Sequence, residues 1–298
     1  MDQTLQVFIT VAEHKNFTRA AEQLHMTQPA ISHYIQTLEQ TMGVKLLDRT
    51  NKYVRLNKAG EIVYYHAKKI MGLYHRMHSL VDDLQQTASG TVIIGSSYTF
   101  GEYILPHTIA YLHEHYPLIK PSIKISNTEG IIELVANHEL DIGIIEGDIK
   151  NKNVIIEPFA EDKMYIIVPA GHRLVNRNQL DARELSEETW IVREQGSGTR
   201  EITDKFFADF NIQPESLMEF GSTQVIKESV EAGLGITLLS HWTVRKELAL
   251  GTMKKIKLQG NPVLRRFSIV TQNTHFQTRA TEVFIEILRQ RIGFNEKR

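Results

Sequence analysis

The fold of this chain is decided by residues 17–49, FTRAAEQLHMTQPAISHYIQTLEQTMGVKLLDR. The stretch reads as two short helices joined by a tight turn and followed by the first strand of a wing. Thr18 is placed to cap the first helix, because a hydroxyl ahead of the first turn accepts an orphan backbone N–H. Ala20, Ala21 and Leu24 follow at helical spacing, and the paired alanines let a second helix approach closely. Thr27 offers a second cap, and Pro29 falls in the next first turn, where its missing N–H costs nothing. Ile31, Ile35 and Leu38 then form one apolar stripe. The opposite face carries Gln28, Ser32, His33 and Gln36, all hydrogen-bonding groups. A helix apolar on one side and bearing amides and hydroxyls on the other suits the major groove of DNA.

Working outward, residues 2–14 form an amphipathic helix with Leu5, Phe8, Ile9 and Ala12 on its buried side. Leu46-Leu47 and residues 53–56 read as a hairpin around Thr50-Asn51-Lys52, from which Arg49 and Lys52 would reach phosphates or the minor groove. Asn57 caps a helix running to about Gln86. In it Val63, His66, Ile70, Leu73, Met77, Leu80 and Leu84 alternate steps of 3 and 4, an unbroken heptad seam. A helix of this length is marginal alone, so the seam points to a second copy of the chain. The organisation is then a winged helix-turn-helix over 1–57 (the motif itself at about 17–36), a linker and dimerisation helix over 58–87, and a domain over 88–298.

From Thr91 onward apolar strands and helices alternate. Strands fall near 92–94, 122–125, 141–145, 155–159, 165–168, 190–192, 217–221, 235–239 and 267–270. Helices fall near 100–116, 131–136, 199–210, 224–232 and 278–292. Such alternation argues for α/β architecture with mostly parallel sheets. Several strand ends lead into hydroxyl- and glycine-rich loops: 95–99 (GSSYT), 126–130 (SNTEG), 196–200 (GSGTR) and 221–224 (GSTQ). In doubly wound sheets such loops converge on a crevice, and free N–H groups at helix starts make it favourable for an anion. Each hydroxyl could equally cap only its own helix; taken together, the set points to a ligand site.

Phe17, Thr18, Ala20-Ala21, Leu24, residues 28–32 (QPAIS), Leu38-Glu39, Gly43, Leu46-Leu47 and Arg49 together resemble the N-terminal signature of LysR-type transcriptional regulators. The resemblance extends over the whole length. It implies a periplasmic-binding-protein-like effector domain of two α/β subdomains, residues 91–161 plus 267–298 and residues 162–266. It further implies double-stranded DNA as a partner, a small anionic metabolite as effector, a homodimer assembling to a tetramer, and RNA polymerase as a further candidate partner. The resemblance places the effector first on Ser97 and Thr99, with Ser96, Thr128, Ser197, Gly198, Thr199 and Thr223 next. Arg193 and Arg200 are candidates to pair with an oxyanion, although Arg193 could instead pair with Glu194 or Glu201. Glu146 departs from the pattern, standing where anion-sensing relatives carry a hydroxyl. A carboxylate there repels an oxyanion unless Arg200 neutralises it or the ligand brings an amine or a proton. Residues 192–200 (VREQGSGTR) resemble the regulators of carbon fixation and sulfur assimilation.

Composition fits this reading. The 298 residues, 42% hydrophobic and 23% charged, suit two or three folded domains. Zero cysteines exclude disulfides and thiolate sites. With no long apolar run and no leader pattern, the expectation is a cytoplasmic protein without a membrane partner. The net charge of −1 divides unevenly, +2 over residues 1–60 and −3 over the remainder, with Lys45, Arg49, Lys52, Arg55 and Lys58 clustered in the wing region. The rival readings are an enzyme or small-molecule binding protein with an accessory helical domain, and a ligand-independent DNA-binding protein. Against an enzyme, the loop 196–198 lacks the Lys-Ser/Thr of a phosphate-cradling loop, and there is no G-x-S-x-G elbow and no H-E-x-x-H. The pairs His75/His78 and His113/His115 read as solvated helix faces. No catalytic residue, metal site or cofactor is expected.

Overall fold

The computed structural model describes residues 2–49, 53–82, 88–147, 149–175, 177, 180–256, 258, 262–274 and 276–292. Lys52, Leu84 and Thr87 therefore lie outside the described residues. The chain divides into two compact units, residues 1–84 with 137–139 and residues 85–136 with 140–298.

In the first unit, helices α1 (Asp2–His14), α2 (Phe17–Gln23) and α3 (Gln28–Met42) precede a hairpin of β1 (Leu47–Arg49) and β2 (Val54–Leu56), then the long helix α4 (Lys58–Asp82). Helix α2 is capped not by Thr18 but by Asn16, whose Oδ1 accepts the N–H groups of Thr18 and Arg19 at 2.8 and 3.1 Å. Asn16 takes the extended backbone a cap needs, which leaves Thr18 exposed inside the first turn. Thr27 caps α3 as expected, and Gly43 ends it with φ of +71°, a left-handed conformation that costs a side-chain-bearing residue more than glycine. Leu5, Phe8, Ile31, Ile35 and Leu46 fill one core with Ala67 and Met71 of α4. Ala12, expected on the buried side, is only half-buried, while Val7, Thr10 and Val11 are buried.

The second unit opens with β3 (Gly90–Ser96), α5 (Tyr98–Tyr103), α6 (Leu105–His115), β4 (Ile119–Ile125), α7 (Thr128–Ala136) and β5 (Ile142–Glu146). The single helix expected over 100–116 is thus two, broken at Ile104, because Pro106 sits in the first turn of α6 and cannot continue a ladder from α5. Then β6 (Val154–Pro169) runs uninterrupted where two strands were expected. It leads into α8 (Ala182–Ser186), β7 (Thr189–Arg193), α9 (Gly198–Asp209), β8 (Ser216–Phe220), α10 (Thr223–Glu231), β9 (Thr237–Ser240), α11 (His241–Leu250), β10 (Met253–Ile256), β11 (Val263–Gln272) and α12 (Arg279–Arg291). Elements α8, α11 and β10 were not anticipated.

The expectation of mostly parallel sheets is corrected. Strands β3, β4 and β5 pair in parallel, as do β7 and β8, but β11 runs antiparallel to both β5 and β6, and β6 antiparallel to β9 and β10. The reason is that β6 and β11 each cross from one hydrophobic core to another. Phe159, Ala160, Phe267 and Ile269 pack with Ile94, Phe100 and Phe284. Met164, Ile166 and Val168 pack with Trp190, Phe206 and Ile236, and Val263 lies against that second core. Between the two cores, the crossing strands carry Asp162 and Arg265 in register with each other.

Candidate functional site

Two surfaces present the expected groups. On α3, Ile31, Ile35 and Leu38 are buried, whereas Gln28, His33 and Gln36 are exposed and Ser32 is half-buried. Gln28 Nε2 donates to Ser32 Oγ at 3.4 Å, one turn away on the same face. Glu39, the charged residue turned inward from this helix, ties the helix to the wing. Its Oε1 accepts the Leu46 N–H at 3.0 Å, and its Oε2 lies 2.9 Å from Lys45 and 3.4 Å from Arg49. Burial pushes its carboxyl up, but the Leu46 N–H, Lys45 and Arg49 together hold it below the usual carboxylate range. Arg49, expected to reach phosphates, is partly committed to Glu39 and stacks on Phe17 at 4.8 Å. Lys45, though it also pairs with Glu39, remains 76% exposed, so its ammonium can face a polyanion as well.

The second surface lies between the two cores of the larger unit. Its centre is Arg265, fully buried, a residue the sequence reading missed. Its Nε donates to Asp162 Oδ2 at 2.7 Å, its Nη1 to Glu146 Oε2 and Thr199 Oγ1 at 2.8 Å each, and its Nη2 to Thr99 Oγ1 at 2.9 Å. Glu146 Oε1 accepts the Phe100 N–H at 3.2 Å. Glu146 is therefore neutralised by Arg265 and not by Arg200. The Arg200 guanidinium is held elsewhere, by Asp204, Glu219 and the Arg193 carbonyl at 2.8, 2.6 and 3.0 Å. Deep burial pushes the Asp162 carboxyl up, while Arg265 and the Ser240 hydroxyl at 2.8 Å oppose the rise.

Around this centre the loops of the two halves meet. Thr128 Oγ1 donates to the Glu146 carbonyl at 3.1 Å and accepts the Gly198 N–H at 3.3 Å. Gly198 is required by this approach, since a Cβ there would stand 1.9 Å from the Glu146 carbonyl oxygen. Arg193 is buried, paired through Nε and Nη2 with Glu194 at 2.7 and 2.8 Å, donating to Thr223 Oγ1 at 3.1 Å, and stacked on Tyr98 at 4.5 Å. Burial pushes Glu194 up, and Arg193 more than offsets it, leaving the carboxyl below its usual range. Ser97 and Ser197 both occupy N-cap positions with extended backbone, yet neither hydroxyl caps its helix. Ser222, Ser240 and Thr278 do cap theirs. Ser97 Oγ is buried with no hydrogen-bond partner, while Ser96 donates its hydroxyl to the Ser97 carbonyl at 3.1 Å.

Residues 3–61 match the bacterial regulatory helix-turn-helix protein, lysR family, and residues 85–293 match the LysR substrate binding domain. The chain belongs to the LysR family of transcriptional regulators. It is 35% identical over 285 residues to the HTH-type transcriptional regulator CysL of Bacillus subtilis, covering 96% of this chain and 95% of the relative. The same fold is seen in full-length CbnR complexed with its target DNA, with a TM-score of 0.72, 19% identity and 97% and 99% of the two chains covered. The regulatory domain of Synechocystis PCC6803 CcmR in complex with 2-PG matches 70% of this chain and 99% of its own, at a TM-score of 0.65 and 25% identity.

In this LysR-type regulator the larger unit brings Thr99, Glu146 and Thr199 into direct contact with Arg265, and Thr128 with Gly198. Arg193 and Thr223 form a separate cluster with Glu194 and Tyr98. Among the described residues no group of three or more His, Asp or Glu side chains could hold a metal ion, and no helix is long and apolar enough to cross a membrane.

Proposed function

We propose that this regulator reads DNA through Thr27, Gln28, Pro29, Ser32, His33 and Gln36 of α3, with Thr18, Arg49 and Lys52 contributing at the edges, and senses a small anionic metabolite in the cleft. The cleft reading rests on Ser97: a buried hydroxyl without a partner costs about 1–3 kcal/mol, and a ligand that bonds it recovers that cost. We assign the effector contacts to the hydroxyls of Ser96, Thr99, Thr128, Ser197, Thr199 and Thr223, the Gly198 backbone and the guanidinium of Arg193, with Arg200 bracing Arg193 through its carbonyl. The binding of 2-PG by the CcmR domain supports a small-molecule effector for this one.

Ile70, Leu73 and Met77 along α4 are half-exposed at 48, 48 and 50%, while Ala67 and Met71 turn into the core. An apolar seam left open on a 25-residue helix fits packing against a second copy, so the working species is a homodimer, assembling further to a tetramer. Two recognition helices would then read a two-fold-related site. The boundaries follow: a DNA-binding domain over 1–57, a linker helix over 58–87, and an effector domain over 88–298 split where β6 and β11 cross. We assign the chain a regulatory and not a catalytic role, and place the protein in the cytoplasm with the transcription machinery.

The test is thermal unfolding of the full chain against a panel of small anions, amino-acid precursors and sugar phosphates. At a hundredfold excess over Kd a ligand adds about 2.7 kcal/mol. Ser97→Ala and Thr99→Val should erase the shift produced by any hit while preserving operator binding. A shift that survives both substitutions would move the effector site elsewhere.

A further inference from the structure

The place best built for an anion in this cleft is already filled by the protein itself. One guanidinium, one hydroxyl and one backbone N–H converge there: Arg265 from β11, the Phe100 N–H from α5 and Thr199 from α9, with the Thr99 hydroxyl accepting from Nη2 of the same guanidinium. The group they surround is the Glu146 carboxylate. Its oxygens use the Arg265 Nη1 at 2.8 Å, the Phe100 N–H at 3.2 Å and the Thr199 hydroxyl at 3.4 Å. With Asp162 on the other side of Arg265, the centre holds one cation and two carboxylates. A third negative charge added beside them would meet like charge in a desolvated site, which disfavours it. The Ser97 hydroxyl, 2% exposed, is buried without a hydrogen-bond partner at the N-terminus of α5, the helix that supplies Thr99 and the Phe100 N–H.

We propose that Glu146 is a tethered stand-in for the effector's acidic group, and that an anionic effector binds by displacing it from Arg265, Thr199 and the Phe100 N–H. This rests on the cleft being the effector site. Exchange of the Glu146 carboxylate for a dianion adds one negative charge to the centre where binding beside it would add two, and it returns Glu146 to water. The residue that follows, Gly147, has φ of +98°, so the strand ends in a joint that glycine tolerates better than other residues. The tether also sets specificity. A side chain held in place acts at high effective concentration, so a free monocarboxylate competes poorly. A dianionic oxyanion, a sulfate or a phosphate monoester, offers more charge and more acceptor oxygens to the same donors. The ligand class selected is therefore the dianion, and Glu146 is the residue that rejects weaker acids.

The experiment is calorimetric titration of the full chain without DNA, with sulfate and separately acetate as probes at constant ionic strength. Glu146→Ser should bind sulfate at least tenfold more tightly than the native protein, about 1.4 kcal/mol, and should acquire acetate binding. Glu146→Gln, which keeps the volume and an acceptor oxygen, should show a smaller gain and serves if the serine variant folds poorly. Adding Thr99→Val to Glu146→Ser should erase the gain, tying it to this centre. Unchanged or weaker sulfate binding in both Glu146 variants overturns the proposal. Loss of the effector response in Ser97→Ala, with no sulfate gain in the Glu146 variants, sinks displacement alone. Sulfate gain with an intact response in Ser97→Ala and Thr99→Val upholds the tethered carboxylate and sinks the effector assignment.

Discussion

Replacing Arg265 by Met removes a fully buried cation that donates to Asp162, Glu146, Thr99 and Thr199. Methionine approximates the aliphatic part of the side chain, so the main loss is electrostatic. Two carboxylates, each 3% exposed or less, are left facing each other without a counterion. Breaking a buried ion pair by deleting one member costs about 3–5 kcal/mol, because the remaining charge stays desolvated. For a domain of about 200 residues each kcal/mol moves Tm by roughly 2–4 °C, so the effector unit should melt about 6–20 °C lower. The pH dependence follows from Asp162, which burial already pushes above its ordinary value. A carboxyl whose folded pKa is raised contributes stability below its unfolded pKa and loses it as pH rises through the folded value. Removing Arg265 raises it further, so the deficit should be smaller at acidic than at neutral pH, shrinking as pH falls through the raised folded value and the acid takes up its proton. Neutralising the partners as well, with Glu146→Gln and Asp162→Asn in the Arg265→Met background, should recover most of the loss. Thermal unfolding monitored by circular dichroism measures all of this. A single variant that melts within about 2 °C of the native chain, or a deficit equal at acidic and neutral pH, would refute the reasoning.

Gln28→Ala and Ser32→Ala should each cost about 1–3 kcal/mol at the specific operator and little on unrelated DNA, measured by fluorescence anisotropy; equal losses on both would show that α3 does not read bases. Glu39→Ala leaves the Leu46 N–H without its acceptor and should destabilise the N-terminal unit by about 1–3 kcal/mol. Because the Glu39 carboxyl is held low, its contribution is present above the ordinary carboxylate range and is lost as pH falls through its own lowered value, so Glu39→Gln should flatten the acid limb of the unfolding curve. Leu73→Glu places a charge on the open seam of α4 and should lower the sedimenting mass towards that of a monomer; an unchanged mass would exclude the seam as the contact.

The helical unit was legible in the sequence because its signals are local. The stripe Ile31, Ile35, Leu38, the Thr27 cap and Pro29 in the first turn all act within a few residues, and each is found in place. Thr18 misled for the same reason: Asn16, two residues earlier, is an equally good cap and stands one position before α2 begins. In the larger unit, strands and loops were found, but their directions were not, because antiparallel crossing is imposed by tertiary packing and not by the residues of one strand. Helix α11 escaped because its buried face is only Thr243 and Val244, too little to show a helical period.

The centre of the cleft was hidden by a property of strands. Arg265-Arg266 on β11 and Glu161-Asp162 on β6 are adjacent like charges of the kind found on solvated faces, and the second pair falls between the two strands expected near 155–159 and 165–168. Side chains alternate faces with a period of two, so each dipeptide necessarily sends one charge inward and one outward. The register joins Arg265 to Asp162 and Arg266 to Glu161, placing opposite charges together on both faces. Only the inward pair is buried. A usable sequence signal follows: two strands, each interrupted by adjacent like charges of opposite sign, mark a crossing at which one ion pair is internal. Glu146 then ceases to be an anomaly. It stands at the end of β5, next to β11, and β5 pairs Glu146 with Phe267, two residues from Arg265 on the same face. The carboxylate that appeared to repel an anion is the anion that Arg265 binds.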